Sequence, residues 1–181
     1  MIDEKDRRGL LLVARRAIEE ALRGGKHKPS VPEAGPLAES RGAFVTLTRA
    51  GRLRGCIGLV VADRPLVEVV AEMAAAAALH DYRFSPVREE EIPELRIEIS
   101  ALTPLEPVRG PEEVRVGRDG LLIRKGASSG LLLPQVAERE GWSPDRFLDE
   151  TCRKAGLPAG AWREEGASVE RFAAEVWGEE E

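Results

Sequence analysis

Residues 95–101, LRIEISA, alternate without a break: Leu95, Ile97, Ile99 and Ala101 are apolar, and Arg96, Glu98 and Ser100 are polar. A period of two belongs to a strand with one buried face and one polar face. Pro104 and Pro107 end the pattern. The fold must therefore build a sheet around this strand and cover one side of it.

The segments around it supply partners and cover. Leu10, Ala14, Ala17, Ile18, Ala21 and Leu22 recur at helical spacing. Asp3 and Asp6 precede them like a capping box, and Gly24-Gly25 follows as a stop. Pro29, Pro32 and Pro36 exclude regular structure from the next connector. Phe44–Thr48 and Leu53–Val61 read as a hairpin turning at Ala50-Gly51. Asp63 and Pro65 predict a helix start, with Leu66, Val69, Val70, Met73, Ala76 and Ala77 on one side. Pro86 restricts Ser85 to extended backbone after that helix.

Further on, short strands are expected at Val114–Val116, Leu121–Ile123 and Leu131–Leu133, separated by GRDG and GASSG turns. Pro134–Glu140 and a helix capped at Ser143-Pro144 come next, the latter with Phe147, Leu148, Thr151, Cys152 and Ala155 inward. A last strand is expected in VERFAAEVW, with Phe172, Ala174 and Val176 on one face.

Composition narrows the function. A net charge of -5 and 4% aromatic residues disfavour non-specific nucleic-acid binding and stacking platforms for single strands. Two distant cysteines, with no CxxC and no Cys/His cluster, give neither a disulfide framework nor a metal-ligand pattern. No cofactor motif is present, so neither a cofactor nor a metal is expected. MIDEKDRRGLL lacks the apolar core of a leader, and MAAAAAL is too short to span a bilayer. A cytoplasmic protein with reduced thiols is expected, without a membrane role.

The densest candidate chemistry lies in GRLRGCIGLV, residues 51–60. By strand parity Leu53, Gly55 and Ile57 share the core side, while Arg54, Cys56 and Gly58 share the other. Arg54 then stands ~7 Å from the thiol, and a cation there favours thiolate. Gly55 and Gly58 leave backbone bare for a ligand or a neighbouring segment. Cys56 is accordingly a candidate nucleophile, Arg54 a candidate thiolate or anion stabiliser, and Gly55 and Gly58 candidate binding positions. The competing reading makes Cys56 a small packed hydrophobe. His80, with Asp81 orienting it, is the available base; the alternative reading has it close a helix and meet its dipole. Asp81, Arg83 and Phe84 in DYRFSP, and Ser100 in EISAL, are further candidate binding residues, with a local ion pair and a solvated hydroxyl as the alternatives. Cys152 sits on an apolar helix stripe and reads as core.

LRGCIG, preceded by FVTL and followed in order by DYRFSPV, IEISALTPLEPV, GLLLPQVAEREGW and FLDETCRKAGLP, resembles the conserved blocks of the AMMECR family. The likeness runs from Leu10 to Trp177. Arg54, Gly55, Cys56, Gly58, Arg83 and Phe84 match its motif positions, and Ser85 stands where proline is common. The resemblance implies an α+β fold of two unequal lobes. The larger lobe, residues 1–100 plus the C-terminal segment, would carry both termini and an antiparallel sheet flanked by helices. A smaller β-rich lobe would span residues 101–140. Cys56 would face the groove between them. The resemblance also implies association with a Memo-type protein and a radical S-adenosylmethionine protein. It fixes no activity. The readings carried forward are a cysteine-dependent enzyme using Cys56 on a small or nucleotide-like substrate, a protein-binding scaffold in which Cys56 packs, and RNA binding through RAGRLRG.

Overall fold

The computed structural model describes residues 1–179. In chain order the elements are α1 (Glu4–Leu22), β1 (Ala43–Arg49), β2 (Arg52–Leu59), α2 (Leu66–Leu79), β3 (Leu95–Leu102), β4 (Glu106–Pro107), β5 (Gly120–Lys125), β6 (Ser128–Leu132), α3 (Pro134–Arg139), α4 (Pro144–Lys154), β7 (Ala167–Phe172) and β8 (Ala174–Gly178). The protein is α+β, with two four-stranded antiparallel sheets. It divides into two compact units, Met1–Thr103 with the segment from Glu175, and Pro104–Ala174.

In the first unit the strand order is β2-β1-β3-β8. β1 and β2 form the expected hairpin, and Ala50 (φ +50°) and Gly51 (φ +71°) both adopt the left-handed conformation that a two-residue hairpin turn requires. Val45 and Leu47 of β1, with Ile97 and Ile99 of β3, point into the core and meet Leu10, Ala14 and Ile18 of α1 and Val69, Val70 and Met73 of α2. Asp3 caps α1 by accepting from the Asp6 amide at 2.8 Å. A buried clasp joins the chain's two ends: Arg41 donates to the Leu102 carbonyl at 2.7 Å and to Glu175 at 3.0 Å, and Glu175 accepts from the Ile2 amide at 3.0 Å.

α2 begins differently from the expectation. Pro65 is its N-cap residue, and Asp63 does not cap it. The first amides are held instead by carbonyls of the Pro-rich connector: Leu66 N donates to Glu39 O at 2.9 Å and Val67 N to Leu37 O at 3.2 Å. A carboxylate cap is therefore not needed.

The second unit has strand order β4-β7-β5-β6. Phe147, Leu148 and Cys152 of α4 pack with Leu121 and Ile123 of β5 and Val169 of β7. Ser143 caps α4 through the Arg146 amide. The unit runs on to Ala174 instead of ending near residue 140, because α4 closes its core. Val114–Val116 is not a strand. The Asp119 carboxylate accepts from the Arg115 amide at 2.9 Å, and Asp119 N donates to Arg115 O at 2.9 Å, which uses that backbone locally. Only Gly126 and Ala127 turn between β5 and β6; Ser128–Gly130 pair in the ladder. VERFAAEVW is two strands in two sheets. Phe172 ends β7 opposite Gly120, whose missing side chain makes room for the ring, whereas β8 joins β3 and leaves Val176 exposed.

Among the described residues no helix is long and apolar enough to cross a membrane.

Candidate functional site

The position of Cys56 is set by one extra residue. Arg49 pairs with Arg52 and Thr48 with Leu53, but Leu47 pairs with Gly55, so Arg54 is a bulge. Beyond it Thr46 lies opposite Cys56, Val45 opposite Ile57 and Phe44 opposite Gly58. Val45 and Leu47 are core residues, so Gly55 and Ile57 share the core side and Cys56 and Gly58 the outer side. The bulge also reverses Leu53, which was expected in the core and is 44% exposed.

On the outer face Cys56 is half-buried, and its sulfur accepts a hydrogen bond from the Thr46 hydroxyl at 3.3 Å. Phe44 lies over Gly58, where a Cβ would come within 2.2 Å of the ring. Glu98 is opposite Thr46 and Ser100 opposite Phe44. Ser100 therefore stands in the row beside the one that carries Cys56.

β2 is an edge strand, and the loop after α2 occupies its free side at Cys56. The Cys56 amide donates to Asp81 at 2.8 Å, and the Cys56 carbonyl accepts from Arg83 at 3.2 Å. Asp81, only 4% exposed, also accepts from the Arg83 amide at 3.1 Å and from its guanidinium at 2.9 and 2.7 Å. The Arg83 hydrogen bond is the main reason the Asp81 carboxyl lies far below the usual carboxylate range; the Cys56 and Arg83 amides add to it, against the opposing effect of burial. Asp81 reciprocally raises Arg83. The guanidinium lies 5.6 Å from the Phe84 ring centroid, a cation–π stack.

Two sequence-based assignments change. Arg54 is occupied away from the thiol. It forks onto Glu91 with two bonds of 3.0 Å and donates to the carbonyls of Ser85 at 2.9 Å and Pro86 at 3.3 Å. Its role is to fasten the bulge to the loop. His80 is an exposed helix-closing residue and makes no hydrogen bond to Cys56 or Asp81; Asp81 has spent its oxygens on Cys56 and Arg83. The Cys–His–Asp arrangement does not form. Gly55 serves packing, since its Cα faces the α2 backbone at Ala77.

The sequence reading missed Thr46 and Glu91. Thr46 was available as the cross-strand partner of Cys56 only if the bulge was known. Glu91 sits in a run of three glutamates, where one buried member has no local signature. It accepts from Arg54, from Arg49 at 3.1 Å and from the Arg88 amide at 2.9 Å. Arg54, chiefly, holds its carboxyl down at about 2.

A carboxyl depressed by folding stabilises above its ordinary range and loses that contribution as pH falls toward the folded value. Urea unfolding at about pH 6 and about pH 3 is therefore expected to show wild type losing roughly 1–3 kcal/mol more than Glu91→Gln. Equal losses would mean that Arg54 and Glu91 contribute nothing to the acid limb.

Cys152 is fully buried, and burial pushes its thiol pKa up. Among the described residues no group of three or more His, Cys, Asp and Glu side chains is placed to hold a metal ion.

Known proteins share this chain's sequence and fold over most of its length. A protein of Thermococcus gammatolerans is 48% identical, over 97% of this chain and 92% of its own. One of Thermococcus kodakarensis is 49% identical, with the same coverage. The crystal structure of the uncharacterized protein PH0010 from Pyrococcus horikoshii, 45% identical, superposes with a TM-score of 0.74 over 95% of this chain and 90% of that one. Residues 11–177 match the AMMECR1 family model, and the chain belongs to the AMMECR1 family.

Proposed function

We propose that the protein is a cysteine-dependent enzyme acting on a small substrate, with Cys56 as its nucleophile. One observation carries the reading: the sulfur lies on the sheet face away from the core, half-buried, with Thr46 donating to it and Asp81 and Arg83 holding its backbone from the edge. The Thr46 hydroxyl holds the sulfur on that face, where it can attack an electrophile. In such a reaction the sulfur bonds to an electrophilic centre, the bond to the leaving group breaks, and the thiol proton passes to solvent. Arg83, which reaches the Cys56 carbonyl, and Phe84, stacked on Arg83, are the groups offered to an anionic or flat, nucleotide-like substrate. A cytoplasmic setting would keep the thiol reduced.

A second reading has one observation in its favour. Tyr82, two residues from Phe84 in the clamping loop, is 94% exposed. So large an exposed aromatic suits a protein partner, and Memo-type and radical S-adenosylmethionine proteins are the candidates that family association provides.

The two readings separate by reactivity. At neutral pH, iodoacetamide is expected to modify Cys56 about tenfold faster than free glutathione. Thr46→Val should remove that advantage, and Cys152 should stay unmodified until the protein unfolds. Peptide mass spectrometry of timed samples reads all three. Labelling of Cys56 slower than glutathione would sink the nucleophile reading and leave the binding module.

A further inference from the structure

A cleft lies against the helices of the first unit, on the side away from Cys56. Its volume is about 930 Å³, within the range of small-molecule sites. The loop after α1 runs along α2 and forms one wall. The floor is alanine: Ala17 and Ala21 from α1, Ala71, Ala75 and Ala76 from α2. Small side chains on two packed helices leave room that larger residues would fill.

The rim is charged and mostly basic. Lys26 and Lys28 from the loop are exposed and have no ion-pair partner among the described residues. Only Lys125 of the five lysines has an ion pair among the described residues, so what sets Lys26 and Lys28 apart is that both stand on one short loop at this cleft. Arg64, beside the start of α2, holds Glu72 at 2.7 Å while its Nε is buried without a hydrogen-bond partner. A buried donor without a partner is unfavourable, and an acceptor entering the cleft would let the guanidinium turn to satisfy it. Glu68 also lines the cleft and has no ion-pair partner among the described residues; its carboxylate can accept from a hydroxyl. An apolar floor, unpaired lysines and one free carboxylate together match an organic phosphate whose body carries a hydroxyl.

We infer that this α1–α2 cleft is a binding site for a small organic phosphate, with Lys26 and Lys28 on the phosphate and the alanine floor under the organic body. It shares no lining residue with the Cys56 site, so it is a separate site. The phosphate monoester is preferred to a carboxylate because it carries nearly two charges at neutral pH, and two unpaired lysines face it.

The cleft has a built-in reporter. The chain contains two histidines, His27 and His80, and both line this cleft. His27 is steadied by Glu20 at 2.7 Å. Their ring-proton NMR signals therefore report on this place and no other. The protein is titrated at fixed pH with phenyl phosphate, with inorganic phosphate and with phenol. The expected result is a saturable shift of both histidine signals with phenyl phosphate, at an apparent Kd at least tenfold below that of either fragment alone. Lys28→Glu should weaken it at least tenfold. So should Ala75→Met, which fills the floor and leaves the charges in place. Shifts that never saturate, or an affinity that both variants leave unchanged, overturn the inference. Equal affinity for inorganic phosphate and phenyl phosphate also overturns it, since the cleft would then be only a charged loop.

Discussion

Asp81→Ala is expected to lower the unfolding free energy by about 2–4 kcal/mol. The carboxylate is buried and receives four hydrogen bonds, one from Cys56 and three from Arg83. Its removal strands the Cys56 and Arg83 amides and leaves the guanidinium without its counter-charge. The upper end of the range for breaking a buried pair is not used, because Arg83 is 43% exposed and water recovers part of the loss. Asp81→Asn keeps an acceptor but no charge and should lose about half as much. Urea unfolding measures both. The acid limb gives an independent check: Asp81 is held far below the usual carboxylate range, so its stabilisation is present above that range and disappears as pH falls. Both variants should show a flatter acid limb than wild type. Hydrogen exchange at the Cys56 amide should lose its protection in Asp81→Ala while the core amides of β1 and β3 keep theirs. A change below about 0.5 kcal/mol would show that the loop does not hold the strand.

The sequence was most informative where one local rule acted alone. The alternation at Leu95–Leu102, the Ala50-Gly51 turn, the α1 cap at Asp3 and the α4 cap at Ser143 each follow from a few neighbouring residues. The Cys56 strand needed more. Counted outward from the turn without a bulge, the hairpin would place Cys56 opposite Val45, in the core. The extra residue at Arg54 moves the sulfur to the outer face and Leu53 out of the core. Parity along the strand correctly separated Cys56 from Ile57, because both lie on the same side of the bulge; it failed at Leu53, which lies on the other. No local signal marks the bulge. What stabilises it is a contact 37 residues away, Arg54 to Glu91.

Asp81 and Arg83 illustrate the same limit. Their types and their nearness to a helix end were legible, and so was a mutual ion pair. That the pair closes on the Cys56 backbone was not, because only the crossing of α2 over β2 brings the loop there. His80 failed as a base for that reason: α2 ends with it facing the helix side, and the next residue goes to the strand edge. In the second unit, local strand signals at Val114–Val116 were overridden by a turn that Asp119 organises, and one apparent strand at the C-terminus was shared between two sheets.

The crossing of α2 over β2 gives the other large prediction, Gly55→Ala. A Cβ built on Gly55 would stand 2.1 Å from the Ala77 carbonyl oxygen, far inside contact distance, and the obstacle is backbone rather than a side chain that could rotate away. Nor is there an easy retreat. The next residue on β2 is held at both its amide and its carbonyl by Asp81 and Arg83. On the helix side, the Ala78 carbonyl beyond the contact accepts from the Val87 amide at 2.8 Å. The substitution must separate strand from helix by about an ångström and loosen the core between them, an overpacking change expected to destabilise by about 3 kcal/mol or more. Gly58→Ala is the internal control. Its Cβ would meet the Phe44 ring at 2.2 Å and the Ala43 carbonyl oxygen at 2.8 Å; the ring can turn and the backbone contact is milder than at Gly55, so about 1–2 kcal/mol is expected. Parallel urea unfolding of the two variants compares them directly. If Gly55→Ala proves no more costly than Gly58→Ala, then α2 does not fix β2. The glycine before Cys56 would then exist to leave backbone open rather than to let a helix approach, and the placement of the sulfur would rest on the Asp81 clamp alone.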